Sequence, residues 1–123
     1  MKFRELFTED LIDASTQKRQ LTALSKKVID KLGAAKKGSG IVQVWVEDTG
    51  VIKFTYMLAS ETEPTVDTAT KIADIFNKGR KITNVRIDTT DNSGWKKNGV
   101  GISGNKNSDK LYHLAVTFLA DIK

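Results

Sequence analysis

Two tryptophans and four cations are the residues of this chain best suited to hold a ligand. Trp45 and Lys53 lie in two runs of alternating apolar residues, Arg86 lies in a third, and Trp95, Lys96 and Lys97 stand together in a stretch rich in Gly, Asn and Ser. Indole rings beside ammonium and guanidinium groups suit a surface that stacks unpaired bases and holds their phosphates, stacking being worth roughly 1–3 kcal/mol per base. A plainer reading stands beside it. Trp45 is then a large core residue under an N-terminal arm or against the last strand, and Trp95 lies back on the core from a solvated connection.

Catalytic chemistry has little support. His113 is the sole histidine and alternates with apolar residues, and the absence of cysteine removes disulfides, thiolate ligands and thiol nucleophiles together. Asp88 and Asp91 leave room for a magnesium-dependent hydrolase, although their spacing is not specific to one. Gly99-Val100-Gly101-Ile102-Ser103-Gly104 begins like a phosphate loop but has neither a GK[ST] ending nor a following helix, so the Walker and dinucleotide fingerprints both fail. The chain is therefore expected to be non-catalytic, with no cofactor and no metal.

Charge directs attention to polyanions. A net charge of +5 and a pI near 9.5 favour nucleic acid, RNA or DNA, or an acidic protein. Lys18, Arg19, Lys26, Lys27, Lys31, Lys36 and Lys37 form one basic group and Lys78, Arg80 and Lys81 another; each is either a solvated polar face or a phosphate footprint. With 39% apolar and 28% charged residues, 123 residues suit one globular domain, 1–123. No apolar run nears the roughly 20 residues that span a bilayer, and the N-terminus lacks a signal-like apolar stretch, so no membrane and a cytoplasmic location are expected.

The elements that must position these residues follow from periodicity. Phe3, Leu6, Phe7 and Leu11 suggest a short helix or arm over 1–14. Leu21, Leu24, Val28 and Leu32 mark an amphipathic helix that Gly33 ends, followed by a flexible basic linker through Gly40. Ile41 to Leu58 reads as a hairpin across Glu47-Asp48-Thr49-Gly50, with Val42, Val44 and Val46 on one face and Gln43, Trp45 and Glu47 on the other. After Pro64, with Thr65 or Asp67 as cap, Ala69, Ile72, Ala73 and Phe76 stripe a second helix that Gly79 should terminate. Ile82 to Asp88 is a third strand. Val100 and Ile102 suggest a short edge strand inside the loop-like span 89–110, and Leu111 to Ile122, apolar on both phases, suggests a central strand.

This order predicts an α+β fold, two helices packed on one face of a mostly antiparallel sheet of four to five strands. The other face would display Gln43, Trp45, Lys53, Thr55, Arg86 and His113. A small basic nucleic-acid-binding protein using that face and the Trp95-Lys96-Lys97 loop is the leading expectation. The alternative is a protein-interaction module, an inhibitor, anti-defence or assembly factor, that sets the 89–110 span and a sheet edge against an acidic partner. Small size, lack of cysteine and the opening Met1-Lys2-Phe3-Arg4-Glu5-Leu6-Phe7 resemble small proteins of large tailed bacteriophages, a likeness that assigns no site.

Overall fold

The computed structural model describes residues 19–48, 50–79, 82–103 and 111–122. The expected arm over 1–14, Lys18, Arg80, Lys81 and the basic stretch 104–110 lie outside them. The described part of helix α1 covers 19–32 and buries Leu21 and Val28, with Leu24 and Leu32 packed partly against the same core. Gly33, at φ +65, ends it as expected. The segment to Gly40 is not the loose linker that its composition suggests. Ala35 N–H donates to Ala59 O at 2.8 Å, and Ser39 Oγ accepts from Ala59 N–H at 2.9 Å, so β2 holds the connection at two points.

Five strands build one antiparallel sheet: β1 Gly40–Asp48, β2 Val51–Ser60, β3 Ile82–Ile87, β4 Val100–Ile102 and β5 Tyr112–Ile122, in the order β1-β2-β5-β3. β4 also pairs with β5, alongside Leu114 to Val116, while β3 pairs with Phe118 to Ile122. The two-sided apolar strand is thus central: β2 lies along one side, and β3 and β4 follow one another along the other. Alternation puts Ile52, Phe54, Tyr56 and Leu58 of β2 and Leu114, Val116, Phe118 and Ala120 of β5 in the buried layer against the helices.

Helix α2, Val66–Phe76, buries Ala69, Ile72, Ala73, Ile75 and Phe76. Thr65 is its cap, and Thr68 Oγ1 accepts the Thr65 N–H at 3.0 Å, one half of a capping box. Asn77, not Gly79, is the C-cap. The Asn77 side chain also accepts Val85 N–H at 2.7 Å and donates to Val85 O at 3.3 Å, at a bulge between Thr83 and Arg86 where the ladder to β5 is interrupted. Backbone groups that the bulge removes from the sheet are satisfied by the helix end.

The valine face of β1 is less buried than alternation implies. Val44 is half-buried, but Val42 is 54% exposed and Val46 45%. The cause is position: Val42 is the extra residue of a bulge between Ile41 and Gln43, and β1 is an edge strand.

Inside the core, Phe76 meets Phe54 and Tyr56 edge-on, with ring centroids 5.1 and 5.6 Å apart, and Phe118 completes the group. Tyr56 is fully buried and its hydroxyl finds no hydrogen-bond partner among the described residues. Burial alone pushes the phenol pKa up. Tyr56→Phe removes an unsatisfied group without opening a cavity, so the variant is expected to be as stable as the parent or about 1–2 kcal/mol more stable in urea unfolding. No helix of the described residues is long and apolar enough to cross a membrane.

Candidate functional site

Lys53 stands opposite Leu119, Thr55 opposite Thr117 and Met57 opposite Ala115, and these residues form the sheet face turned away from the helices. Trp45 pairs with Lys53, and Arg86 with Leu119, so alternation places Trp45, Lys53, Thr55, Arg86 and His113 on this face as expected. The segment 89–98 is looped out from it by a narrow neck. Thr117 binds both sides of the neck, its carbonyl accepting from Asp88 N–H at 2.8 Å and its N–H donating to Gly99 O at 2.9 Å. Gly99 has φ +80, and a Cβ there would collide with the Asp88 carbonyl oxygen, so only glycine closes the neck.

Asp91 fastens the loop to the sheet. Its Oδ2 accepts from the Thr117 hydroxyl at 2.5 Å and from Lys96 Nζ at 3.2 Å; its Oδ1 accepts from Ser93 Oγ at 2.7 Å and Ser93 N–H at 3.0 Å. Lys96 also donates to Thr117 Oγ1 at 2.8 Å, and Thr55 Oγ1 lies 3.2 Å from it. Because Thr117 gives its proton to Asp91, Thr55 is the donor in the threonine pair. The Thr117 hydrogen bond, followed by those from Ser93 and Lys96, holds the Asp91 carboxyl far below the usual range against the opposing effect of burial.

Asp88 closes β3 in a related way. Burial opposes its charge, but hydrogen bonds from Thr90 Oγ1 at 2.6 Å and Thr90 N–H at 3.1 Å, with the Lys53 ammonium at 3.5 Å, bring its pKa below the ordinary value. Lys53 also lies 3.8 Å from Glu47 and 6.0 Å from the centre of the Trp45 ring. Arg86 donates to Asp121 at 3.1 Å and to Asn84 O at 2.9 Å. Three of the four cations expected on phosphates are therefore matched by carboxylates of the same face.

The six expected residues do not form one site. Trp45, Lys53 and Lys96 share a cleft of about 280 Å³ with Glu47, Asp91 and Ser93. Trp95 lines another of about 500 Å³ with Met57, Ile102 and His113, its ring resting on Gly101 while 51% of the residue stays exposed. Arg86 and Lys97 line neither cleft. Trp45 is 37% exposed, so neither tryptophan is a buried core residue. Among the described residues no three His, Cys, Asp or Glu side chains gather where a metal ion could be held, and Asp88 and Asp91 are directed to hydroxyls and ammonium groups.

A different cationic cluster lies on the helix side. Lys27 and Lys31, one turn apart on α1, approach Lys78 just beyond α2, and Lys27, Lys78, Gln20 and Gly79 line a cleft of about 220 Å³. The Lys78 ammonium lies close to Lys31; its proximity and like charge, then slight burial and Lys27, lower the Lys31 pKa. Among the described residues no carboxylate comes within 4 Å of these three ammonium groups. The i, i+4 repeat of lysines was the available signal, but what it lacked was the approach of Lys78 from a helix about fifty residues away.

In comparisons with known proteins, the chain matches no family model, no curated protein and no solved structure.

Proposed function

We propose that the protein is a non-catalytic polyanion-binding module whose ligand is a nucleic acid, with phosphates seated at Lys27, Lys31 and Lys78. The single observation that carries this reading is the approach of Lys78 to Lys27 and Lys31 with no carboxylate within 4 Å among the described residues, in a chain of net charge +5. Like charges held together cost free energy that a phosphate would return, and release of its counterions adds to binding. Lys53, Lys96 and Arg86 are less available because each already meets a carboxylate. The exposed rings of Trp45 and Trp95 offer stacking surfaces for an unpaired strand on the opposite face.

The test is titration of single-stranded and duplex oligonucleotides over a salt series. Affinity should fall steeply with salt, and the Lys27→Gln, Lys31→Gln, Lys78→Gln triple variant should lower the log–log slope by about 2–3, near one per phosphate lost. Trp45→Ala and Trp95→Ala should weaken single strands more than duplex. No binding at low salt would refute the reading, and purification with one stoichiometric acidic protein and no nucleic acid would put a protein in the ligand's place.

A further inference from the structure

Among the described residues β1 pairs only with β2, so one side of a nine-residue strand meets no other strand. Edge strands are ordinarily protected by proline, lysine or an inward charge. Gly40-Ile41-Val42-Gln43-Val44-Trp45-Val46 has none of these, only the bulge at Val42 and a second irregularity directly after it at Glu47, and it carries three of the large exposed apolar residues, Val42, Trp45 and Val46. We infer that this edge is a homodimer interface, in which β1 pairs antiparallel with β1 of a second copy about a twofold axis at Val44.

The choice of a second copy rests on self-complementarity. With Val44 on the axis, Val42 faces Val46 of the other copy, so the two exposed valines cover each other twice, and Gln43 faces Trp45 in the same reciprocal way. Charge agrees with this register. Glu47 stands near the end of the strand, and the segment leading into it carries Lys36 and Lys37, so each Glu47 lies toward the basic end of the other copy. Among the described residues Lys36 and Lys37 have no carboxylate within 4 Å. Irregularities at Val42 and at Glu47 leave Gln43 to Val46 as the regular run, four residues a side, with Val42 at its margin.

Such an axis stands perpendicular to the sheet, so both helix layers fall on one side. A cleft of about 590 Å³ between α1 and the start of β1, lined by Lys26, Ile29, Lys36 and Ile41, then borders the seam in each copy. The inference does not depend on the proposed ligand, because pairing of the strands requires none.

Sedimentation velocity and light scattering of the full chain without nucleic acid, over a concentration series, test it. A monomer–dimer equilibrium is expected. Val42→Lys with Val46→Lys should weaken dimerisation by roughly tenfold or more while circular dichroism stays unchanged, both side chains being exposed already. Glu47→Lys should weaken it too, and Lys36→Glu with Lys37→Glu in the same chain should restore it, a rescue that loss of folding would not give. A monomer at every concentration, or a dimer indifferent to all these changes, would overturn the inference and leave the edge to residues 1–18 or to another protein.

Discussion

Replacing Asp91 by alanine should lower the stability of the protein by roughly 2–4 kcal/mol, because it leaves the Lys96 ammonium and the Thr117 hydroxyl without their carboxylate in a largely dry position. Both ionic side chains are mostly covered, 13% of Lys96 and 18% of Asp91 remaining exposed, so solvent replaces little of the lost interaction. Urea unfolding of Asp91→Ala against the parent measures the effect. Lys96→Met should cost less, since Asp91 would keep Thr117 and Ser93 as donors. An unchanged Asp91→Ala midpoint would mean that the loop is not anchored by this group.

The same carboxylate sets a pH dependence. The Asp91 pKa is depressed in the folded protein, chiefly by the Thr117 hydrogen bond, so the unfolded chain takes up its proton first as pH falls. Its stabilising contribution is complete above the unfolded carboxylate pKa, about 4, and declines as pH drops toward the lower folded value. Asp88 acts in the same direction through Thr90 and Lys53. Urea midpoints should therefore fall steeply below about pH 4 in the parent and less steeply in Asp91→Ala.

Phe76→Ala should be more damaging, costing about 3–5 kcal/mol, enough to consume much of the stability of a domain of this size. Phe76 is fully buried and is the α2 residue that contacts the aromatic rings of both central strands, Phe54 and Tyr56 on β2 and Phe118 on β5. Its loss removes the edge-on contacts and leaves a void between helix and sheet that stiff neighbours cannot fill. Phe76→Leu, which keeps most of the volume, should recover more than half of the loss. A calorimetric melting series across the three proteins would separate cavity from aromatic geometry.

Periodicity carried the fold a long way. The hairpin, the buried stripe of α2 and the two-sided character of the last strand were all legible, because each depends on residues within a few positions of one another. Strand order was not, since pairing of Thr55 with Thr117 joins positions sixty-two apart and nothing local distinguishes that register. Val42 shows a finer limit: alternation placed it in a valine series, but exposure depended on a bulge and on β1 having no outer neighbour among the described residues. The site was legible by face and not by chemistry. Trp45, Lys53 and Arg86 do share one side of the sheet, yet the carboxylates that neutralise Lys53 and Arg86 come from the end of β1, from just beyond β3 and from β5. Lys96 read as a phosphate contact and Asp91 as a possible magnesium ligand because the hydroxyl that organises them, Thr117, lies on β5.

The central position of β5 has a consequence in time. It follows every other described strand in the chain, yet β2, β3 and β4 all depend on it for their ladders. During synthesis β1 and β2 can close locally, while the inner edge of β2 and the whole of β3 wait for the last strand to leave the ribosome. Assembly is thus a late, long-range event of the kind that makes sheet proteins slow to fold. Until then the apolar residues of β2 are a surface that a chaperone, or a neighbouring nascent chain, can reach.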